Sequence, residues 1–199
     1  DVKAHMNLTA RENELDMTIS LDNTDSIRNA GEIQVGALLQ QYNNKPQANI
    51  HIQPTEIVLN DSIWTINESD IIYTVAEKKM DIHSFSINTD FQRIAANGIA
   101  STDPNDSIEV ELQNIDLQYL LGYTEASKAI SVQGPLSGWA KIYGLFAQPM
   151  IEANALLPNA GLNGTYLGDV AATAYLDREA KAIIINGEAI DSTDHKVID

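Results

Sequence analysis

Apolar and polar residues alternate along most of this chain with a period of two, which is the period of a β-strand. Near the start, Leu15, Met17 and Ile19 would share one face of an extended strand, whereas Asp16 and Thr18 would share the other. The same alternation recurs at Ile33/Val35/Ala37, Ile50/Ile52, Ile57/Leu59, Ile108/Val110/Leu112, Leu136/Gly138/Ala140/Ile142, Ile151/Ala153/Ala155/Leu157 and Val170/Ala172/Ala174/Leu176. One apolar and one polar face are typical of an antiparallel or solenoidal sheet with one solvated side.

Turn-forming residues separate these alternating runs. Clusters of Asn, Asp, Pro and Gly, which favour tight turns, occur at Asp22–Asp25, Asn43–Pro46, Asn60–Asp61, Asp103–Asp106, Pro158–Gly161 and Asp177–Glu179. Two segments have features of a helix instead, namely Gly36–Tyr42 and Ile115–Gly122. We therefore predict an all-β protein of about 14 to 16 short strands, with one short helical turn near 115–122.

The size of the chain fits one large domain. Its 199 residues, of which 44% are hydrophobic, suffice for a sizeable core, and the low aromatic content of 6% indicates a long, thin interior. The sequence Asn-Asp-Ser-Ile at 60–63 returns at 105–108, which favours stacked repeats. We predict a single elongated β domain over 1–199, with a candidate sub-boundary near 100–106. Because the chain starts directly in alternating residues, without the regions of a signal peptide, we expect an internal fragment of a larger protein.

Composition and charge argue against several classes of function. The 28 acidic and 12 basic residues give a net charge of −16, which repels nucleic acids and anionic membrane surfaces. The absence of cysteine excludes disulfides and thiol catalysis. The four histidines, His5, His51, His83 and His195, have no acid at the local spacing of a metal site or a catalytic triad. We predict a protein that is not an enzyme, uses no cofactor or metal, and binds no nucleic acid.

The second half of the chain has an ordered series of turn motifs. From Ile108 onward, a strand is followed by the motif Asp116–Leu120, by a strand ending in Gly134, and by the motif Leu136-Ser-Gly138. A strand ending in Gly144 and the pair Gln148-Pro149 come next. This order resembles the TamB and AsmA-like family of Gram-negative envelope proteins.

The resemblance covers residues 80–199 and has a particular branch. Asn159–Gly168, together with Ala180–Gly187, is most similar to the TamB proteins of Bacteroidetes. The resemblance implies an elongated, curved, taco-like sheet whose concave face is an apolar groove. It further implies a periplasmic location, as a soluble part of a protein anchored in the inner membrane and reaching the outer membrane. The family moves lipids between the two membranes or assists outer-membrane protein assembly, and it has no catalytic residue that could carry over.

The implied partners are phospholipid acyl chains and an outer-membrane barrel protein of the assembly machinery. A buried acyl chain gains about 0.8 kcal/mol per CH₂, so a carrier must offer a continuous apolar trough. The one-sided alternation would supply its lining, for which the candidates are Met6, Leu8, Met17, Ile19, Ile33, Val35, Ile50, Ile52, Val110, Leu112, Leu136, Ile142, Ile151 and Val170. The same alternation also fits a core that is sealed by a second sheet.

The two tryptophans, Trp64 and Trp139, leave a different class of function open. Each stands where a strand must seat a large ring, either by packing it or by exposing it. An exposed ring would stack on sugars. The alternative prediction is therefore a cell-surface adhesin or a glycan-binding β-sandwich.

Overall fold

The computed structural model describes residues 2–23, 26–117, 131–177, 182–190 and 196–198. The chain is all-β and forms a large antiparallel sheet, which confirms the predicted fold class. A single 3-10 turn, Val75–Glu77, interrupts the strands in the described part. The described residues form sixteen strands, namely β1 (Val2–Arg11), β2 (Glu14–Asn23), β3 (Ala30–Tyr42), β4 (Lys45–Ile52), β5 (Thr55–Leu59), β6 (Ser62–Ile66), β7 (Ser69–Thr74), β8 (Lys79–Asn88), β9 (Arg93–Ala100), β10 (Ser107–Asp116), β11 (Val132–Gln133), β12 (Pro135–Tyr143), β13 (Met150–Leu162), β14 (Thr165–Asp177), β15 (Ala182–Ile190) and β16 (Lys196–Ile198).

The two segments predicted as helical have different outcomes. The predicted coil at Gly36–Tyr42 is wrong, because β3 continues through it and pairs with β4 up to the Tyr42–Lys45 pair. Cross-strand hydrogen bonds outweigh the weak helical preference of this short segment. In the second segment, Ile115 and Asp116 end β10, Leu117 is helical as predicted, and residues 118–122 lie outside the described part.

The chain divides into two compact units. Unit 1 comprises Asp1–Asp90, Ala95–Ile108 and Tyr143–Pro149, and unit 2 comprises Phe91–Ile94, Glu109–Ile142 and Met150–Asp199. Residues 100–106, where the sequence offered a candidate sub-boundary, lie inside unit 1, and the nearest crossing follows Ile108.

Unit 1 is built as a series of antiparallel hairpins in chain order. β1 pairs with β2, β2 with β3, and β3 with β4. The strands β4 and β5 then form one long hairpin with β6 and β7: from the Ile52–Ser69 pair, three residues inward on both strands lead to the Thr55–Ile66 pair. This shared register shows that the interruption between β4 and β5 leaves the hairpin intact.

The turns predicted at Asn43–Pro46 and Asn60–Asp61 form hairpins where the sequence indicated, whereas the turn predicted at Pro158–Gly161 is wrong, because β13 continues through it. Asn43 and Asn44, and likewise Asn60 and Asp61, all have positive φ values between 48° and 64°. Asn and Asp tolerate this left-handed conformation, and two such residues in succession match the twist of a tight hairpin. In unit 2, Asn163 and Gly164 make the equivalent turn between β13 and β14.

The apolar alternation in unit 1 changes phase partway along several strands. In β4 the apolar face carries Ile50 and Ile52, which have even numbers, whereas in β5 it carries Ile57. The partner strand β3 supplies the reason: Val35 pairs with Ile52 but Gly31 pairs with Ile57, so the register shifts by one residue between them. This β-bulge keeps the aliphatic side chains on one face.

β8 has the same change of phase, at a single residue with left-handed backbone. Ile82 and Ile87 both lie on the apolar face, through their pairs with Ile71 and Ile66. Ser84, between them, has φ +56°, and its N–H donates to Asn97 Oδ1 at 2.7 Å. The side-chain acceptor satisfies an amide that the bulge removes from the regular ladder.

In unit 2, β10 and β13 likewise contain a left-handed residue whose N–H donates to a side chain. Asn114 has φ +52° and donates its N–H to Ser137 Oγ at 3.0 Å. Asn159 also has φ +52° and donates its N–H to Asp169 Oδ1 at 2.9 Å. In β13 the register shifts on both sides of Ala160, next to Asn159.

The buried core of unit 1 gathers around the β5–β6 hairpin. Ile57, Trp64 and Ile66 are only 4%, 5% and 4% exposed. Ile57 pairs directly with Trp64, and it approaches Gly31 so closely that a Cβ there would lie 2.5 Å from Ile57 Cγ2. Further residues of unit 1 that are buried are Ala95, Ala100 and Ile108. These contacts define the buried cluster, by which we mean Ile57, Trp64 and Ile66.

Candidate functional site

The lipid-groove candidates of the first four strands form continuous rows on one face of unit 1. The pairings bring Leu8, Met17, Val35 and Ile52 opposite one another on β1, β2, β3 and β4, and Ser69 of β7 ends this row. Because directly opposite residues project from the same face of a sheet, these side chains are neighbours.

A second and a third row flank the first. Met6, Ile19 and Ile33 make up the second row, on β1 to β3. The third row crosses six strands and consists of Ala10, Leu15, Ala37, Ile50, Ile71 and Ile82. At about 4.8 Å between strands, six strands span about 24 Å. We call the three rows together the aliphatic rows.

Exposure varies along the aliphatic rows. The side chains that β2, β3 and β4 contribute to the rows are half-buried, because each of these strands has a neighbouring strand on either side. On β1, Met6 is 66% exposed and Leu8 is 61% exposed. The face is thus less enclosed than the buried cluster of the same unit.

The candidates in unit 2 lie on two groups of strands. On β13 and β14, Val170 pairs with Leu157, and alternation puts Ile151 on the same face. Small residues, including the Ala155–Ala172 pair, occupy the middle of this face. At its far side Ile185 of β15 is 68% exposed.

The remaining unit 2 candidates are Val110 and Leu112 on β10 and Leu136 and Ile142 on β12, all of which are half-buried. Between Leu136 and Ile142, a Cβ on Gly138 would lie 2.1 Å from the Asn154 carbonyl oxygen. The glycine is required because β12 and β13 approach closely at this point.

The face opposite the aliphatic rows carries charged and polar groups that local sequence spacing did not reveal. His51 of β4 pairs with Asp70 of β7, which in turn pairs with His83 of β8. His51 Nδ1 lies 2.8 Å from Asp70 Oδ1, and its Nε2 lies 3.6 Å from Glu68 Oε1. The sequence reveals this contact only through the hairpin, because His51 and Asp70 are equally distant from the turn at Asn60–Asp61.

These polar groups do not form a metal site. Within the described ranges, no group of three His, Asp or Glu side chains has metal-binding geometry. His5 stands exposed on β1, and His195 lies outside the described residues. Among the carboxyls of the described residues, that of Glu77 is perturbed: the hydrogen bond and the positive charge of Lys45 lower its pKa, and the side chain is exposed. Such a surface pair is a structural contact rather than a catalytic one.

The two tryptophans have different environments. Trp64 is buried in the core of unit 1, so it offers no surface for a sugar to stack on. Trp139 of β12 is 39% exposed, and the Lys141 ammonium lies 5.8 Å from its ring centroid. Lys141 also pairs with Glu109 at 2.8 Å, which holds its charge beside the ring.

Fold and site together define an all-β protein with a one-sided aliphatic sheet. Comparison with known proteins adds no relative, since no family model, curated protein or solved structure matches the chain. In the part of the chain that the structure describes, no helix has the length and hydrophobicity needed to cross a membrane.

Proposed function

We propose that the chain is a non-enzymatic periplasmic segment of an envelope-spanning, TamB-like protein, and that its aliphatic rows shield lipid acyl chains during transport between two membranes. The observation that supports this proposal most directly is the third row, which crosses six strands. Its span of about 24 Å matches an acyl chain of about 20 Å.

The energetics require a continuous face of this kind. An acyl chain of about 16 carbons left in water costs about 12 kcal/mol, at about 0.8 kcal/mol per CH₂. Half-buried aliphatic side chains can close around such a chain without losing contacts that the protein already makes. The exposed thioether of Met6 adds an adaptable side chain to this surface.

Photo-crosslinking in cells tests the proposal with a matched pair of neighbouring positions. Val35 lies in the first row, whereas Gln34, next to it on β3, projects from the opposite face. A photo-reactive amino acid at Val35 should crosslink to phospholipid, and the same amino acid at Gln34 should not. Equal crosslinking at both positions, or none at Val35, would contradict lipid shielding.

The same family resemblance supports a protein client, namely an outer-membrane protein during assembly with a barrel partner. In that case the crosslink from Val35 would be to protein rather than lipid, which mass spectrometry of the adduct distinguishes. The rival adhesin function depends on Trp139, because Trp64 is buried. Binding to a glycan array that is lost in Trp139→Ala would favour the adhesin over both transport functions.

A further inference from the structure

A small cavity on the polar face of unit 1 has no role in lipid shielding. Gln47 of β4 and Thr74 of β7 line it and pair with each other, and Gln47 alternates with Ile50 of the third row, so the cavity lies opposite the aliphatic rows. Its volume is about 240 Å³. Sites for drug-sized ligands usually exceed about 300 Å³, so this cavity suits a smaller molecule.

Two turns at one end of the strands form the rim of the cavity. Tyr42 and Lys45 flank the β3–β4 turn, where they form the last pair of that hairpin. Glu77 lies in the 3-10 turn that leads from β7 to β8. An ion pair between Lys45 and Glu77 joins the two turns. The rim is therefore held by contacts within the protein and needs no ligand to form.

Cross-strand pairing places the polar groups of the cavity side by side. Gln47, Thr74 and Lys79 form one row on β4, β7 and β8. Asp81, which also lines the cavity, pairs with Ile72 in the next row. An amide, a hydroxyl, an ammonium and a carboxylate together supply both hydrogen-bond donors and acceptors. This combination suits a ligand that carries several hydroxyl groups.

Tyr42 and Ile72 give the same cavity an apolar part. Tyr42 is 64% exposed, so its ring is accessible to a ligand. Ile72 is half-buried between its partners Asn49 and Asp81 on the neighbouring strands. An accessible aromatic ring beside hydrogen-bonding groups can stack on the face of a sugar ring that presents C–H groups.

The charges that line the cavity are balanced. Lys45 and Lys79 carry two positive charges, and Glu77 and Asp81 carry two negative charges. The hydrogen bond and the charge of Lys45, together with the charge of Lys79, lower the pKa of Glu77 and keep its carboxylate ionised. An anionic ligand would meet two carboxylates and a cationic ligand two ammonium groups, so a neutral ligand fits best.

We propose that this cavity binds a neutral monosaccharide unit, with one face of the sugar on the ring of Tyr42 and its hydroxyls on Gln47, Thr74 and Asp81. The site uses the polar face of the sheet, so it is independent of lipid shielding by the aliphatic rows. Its residues all belong to unit 1, whereas Trp139 belongs to unit 2.

An NMR titration of the protein with single sugars tests this inference. The probes are glucose, galactose, mannose and N-acetylglucosamine, and the controls are anionic glucuronate, cationic glucosamine and zwitterionic alanine. We expect at least one neutral sugar to shift the backbone amides of Tyr42, Gln47 and Thr74 and to bind more tightly than every control. Because this ligand is uncharged, raising the salt from about 0.05 to 0.5 M should change its affinity less than about twofold.

Variants of the lining residues locate the binding. Tyr42→Ala removes the stacking ring and should weaken the sugar about tenfold, whereas Tyr42→Phe keeps the ring and most of the affinity. Thr74→Val replaces the hydroxyl with a methyl group and should weaken the sugar about fivefold. Tyr175→Ala removes an exposed tyrosine of β14 and is the matched control, which should bind normally. Trp139→Ala should also bind normally.

Four results would overturn the proposal. The first is the absence of shifts at these amides with all four neutral sugars, and the second is tighter binding of a charged control. The third is unchanged affinity in Tyr42→Ala, and the fourth is loss of binding in Trp139→Ala, because the sugar would then bind at the other aromatic ring. The amide spectrum of each variant outside the cavity shows that it is folded, so misfolding cannot imitate any of these results.

Discussion

The buried cluster and the aliphatic rows of unit 1 use the same residue types on the same face, yet one is closed and the other is half open. Ile57 and Trp64 are almost completely buried, whereas Met6 and Leu8 at the far end of the rows are largely exposed. The two regions meet at the bulge between β4 and β5. Alternation therefore determines which face is apolar, and packing beyond the strand determines whether that face is sealed.

The largest effect should come from the buried cluster. Trp64→Ala removes a buried indole and leaves a cavity, so we expect the free energy of unfolding to fall by about 3–5 kcal/mol. Urea unfolding monitored by circular dichroism would measure this loss. A change below about 1 kcal/mol would show that the β5–β6 hairpin is not a closed core, and the comparison between the two regions would fail.

A smaller effect is expected where the cluster meets β3. The Cβ of Gly31→Ala would overlap Ile57, so we expect a loss of about 1–3 kcal/mol in stability. Ile57→Ala removes Cγ2 but leaves the Cβ and Cα of residue 57 at 2.7 and 2.9 Å from the added Cβ, so it should relieve only part of the clash. The double variant should then be slightly more stable than the sum of the two single effects predicts. Strict additivity in a double-mutant cycle would show that Cγ2 contributes nothing to the clash.

The aliphatic rows should respond more weakly to truncation. Ile33 is only half-buried, so Ile33→Ala should cost about 1 kcal/mol. The neighbouring variant Gln34→Ala, on the opposite face, serves as the control and should be nearly neutral. A loss of about 3 kcal/mol or more for Ile33→Ala would mean that this face is sealed like the cluster.

The smallest effect is expected for the ion pair of Lys45 and Glu77, which lies outside the aliphatic rows. Lys45 lowers the pKa of Glu77 below its ordinary value of 4.5. A depressed carboxyl pKa stabilises the fold at pH values above 4.5, and this contribution is lost as the pH falls through the lowered pKa. In an NMR titration, Lys45→Met should raise the pKa of Glu77 toward its ordinary value, while Lys79 still lowers it. An unchanged Glu77 titration in that variant would show that the pair does not form in solution.

The sequence predicted which face of the sheet is apolar and where turns lie more successfully than it predicted which part of that face is covered. The turns at Asn43–Asn44 and Asn60–Asp61 follow from residue chemistry, and the Met17–Val35 pairing places two predicted groove residues together. These features depend on local preference and on a period of two.

The features that the sequence did not reveal depend on long-range register. The His51–Asp70 contact joins residues that only the completed hairpin brings together. The burial of Trp64 likewise depends on what covers its face, which alternation does not encode. The shift at Ser84 was missed because a serine in a strand gives no distinctive signal of left-handed backbone.

Ser84 also bears on how a chain of this kind can change in length. Deleting Ser84 would place Phe85 and Ile87 two and four residues after Ile82, so regular alternation would keep them on the apolar face. The deletion would instead shift their pairing with β6 by one residue, away from the Ile66–Ile87 pair. A one-residue insertion in a regular strand would turn every following side chain to the opposite face, unless the added residue forms a bulge as Ser84 does. Viable single-residue changes within strands should therefore lie at such bulges, and other single changes should be confined to turns such as Asn43–Asn44, where no side chain has a face to lose.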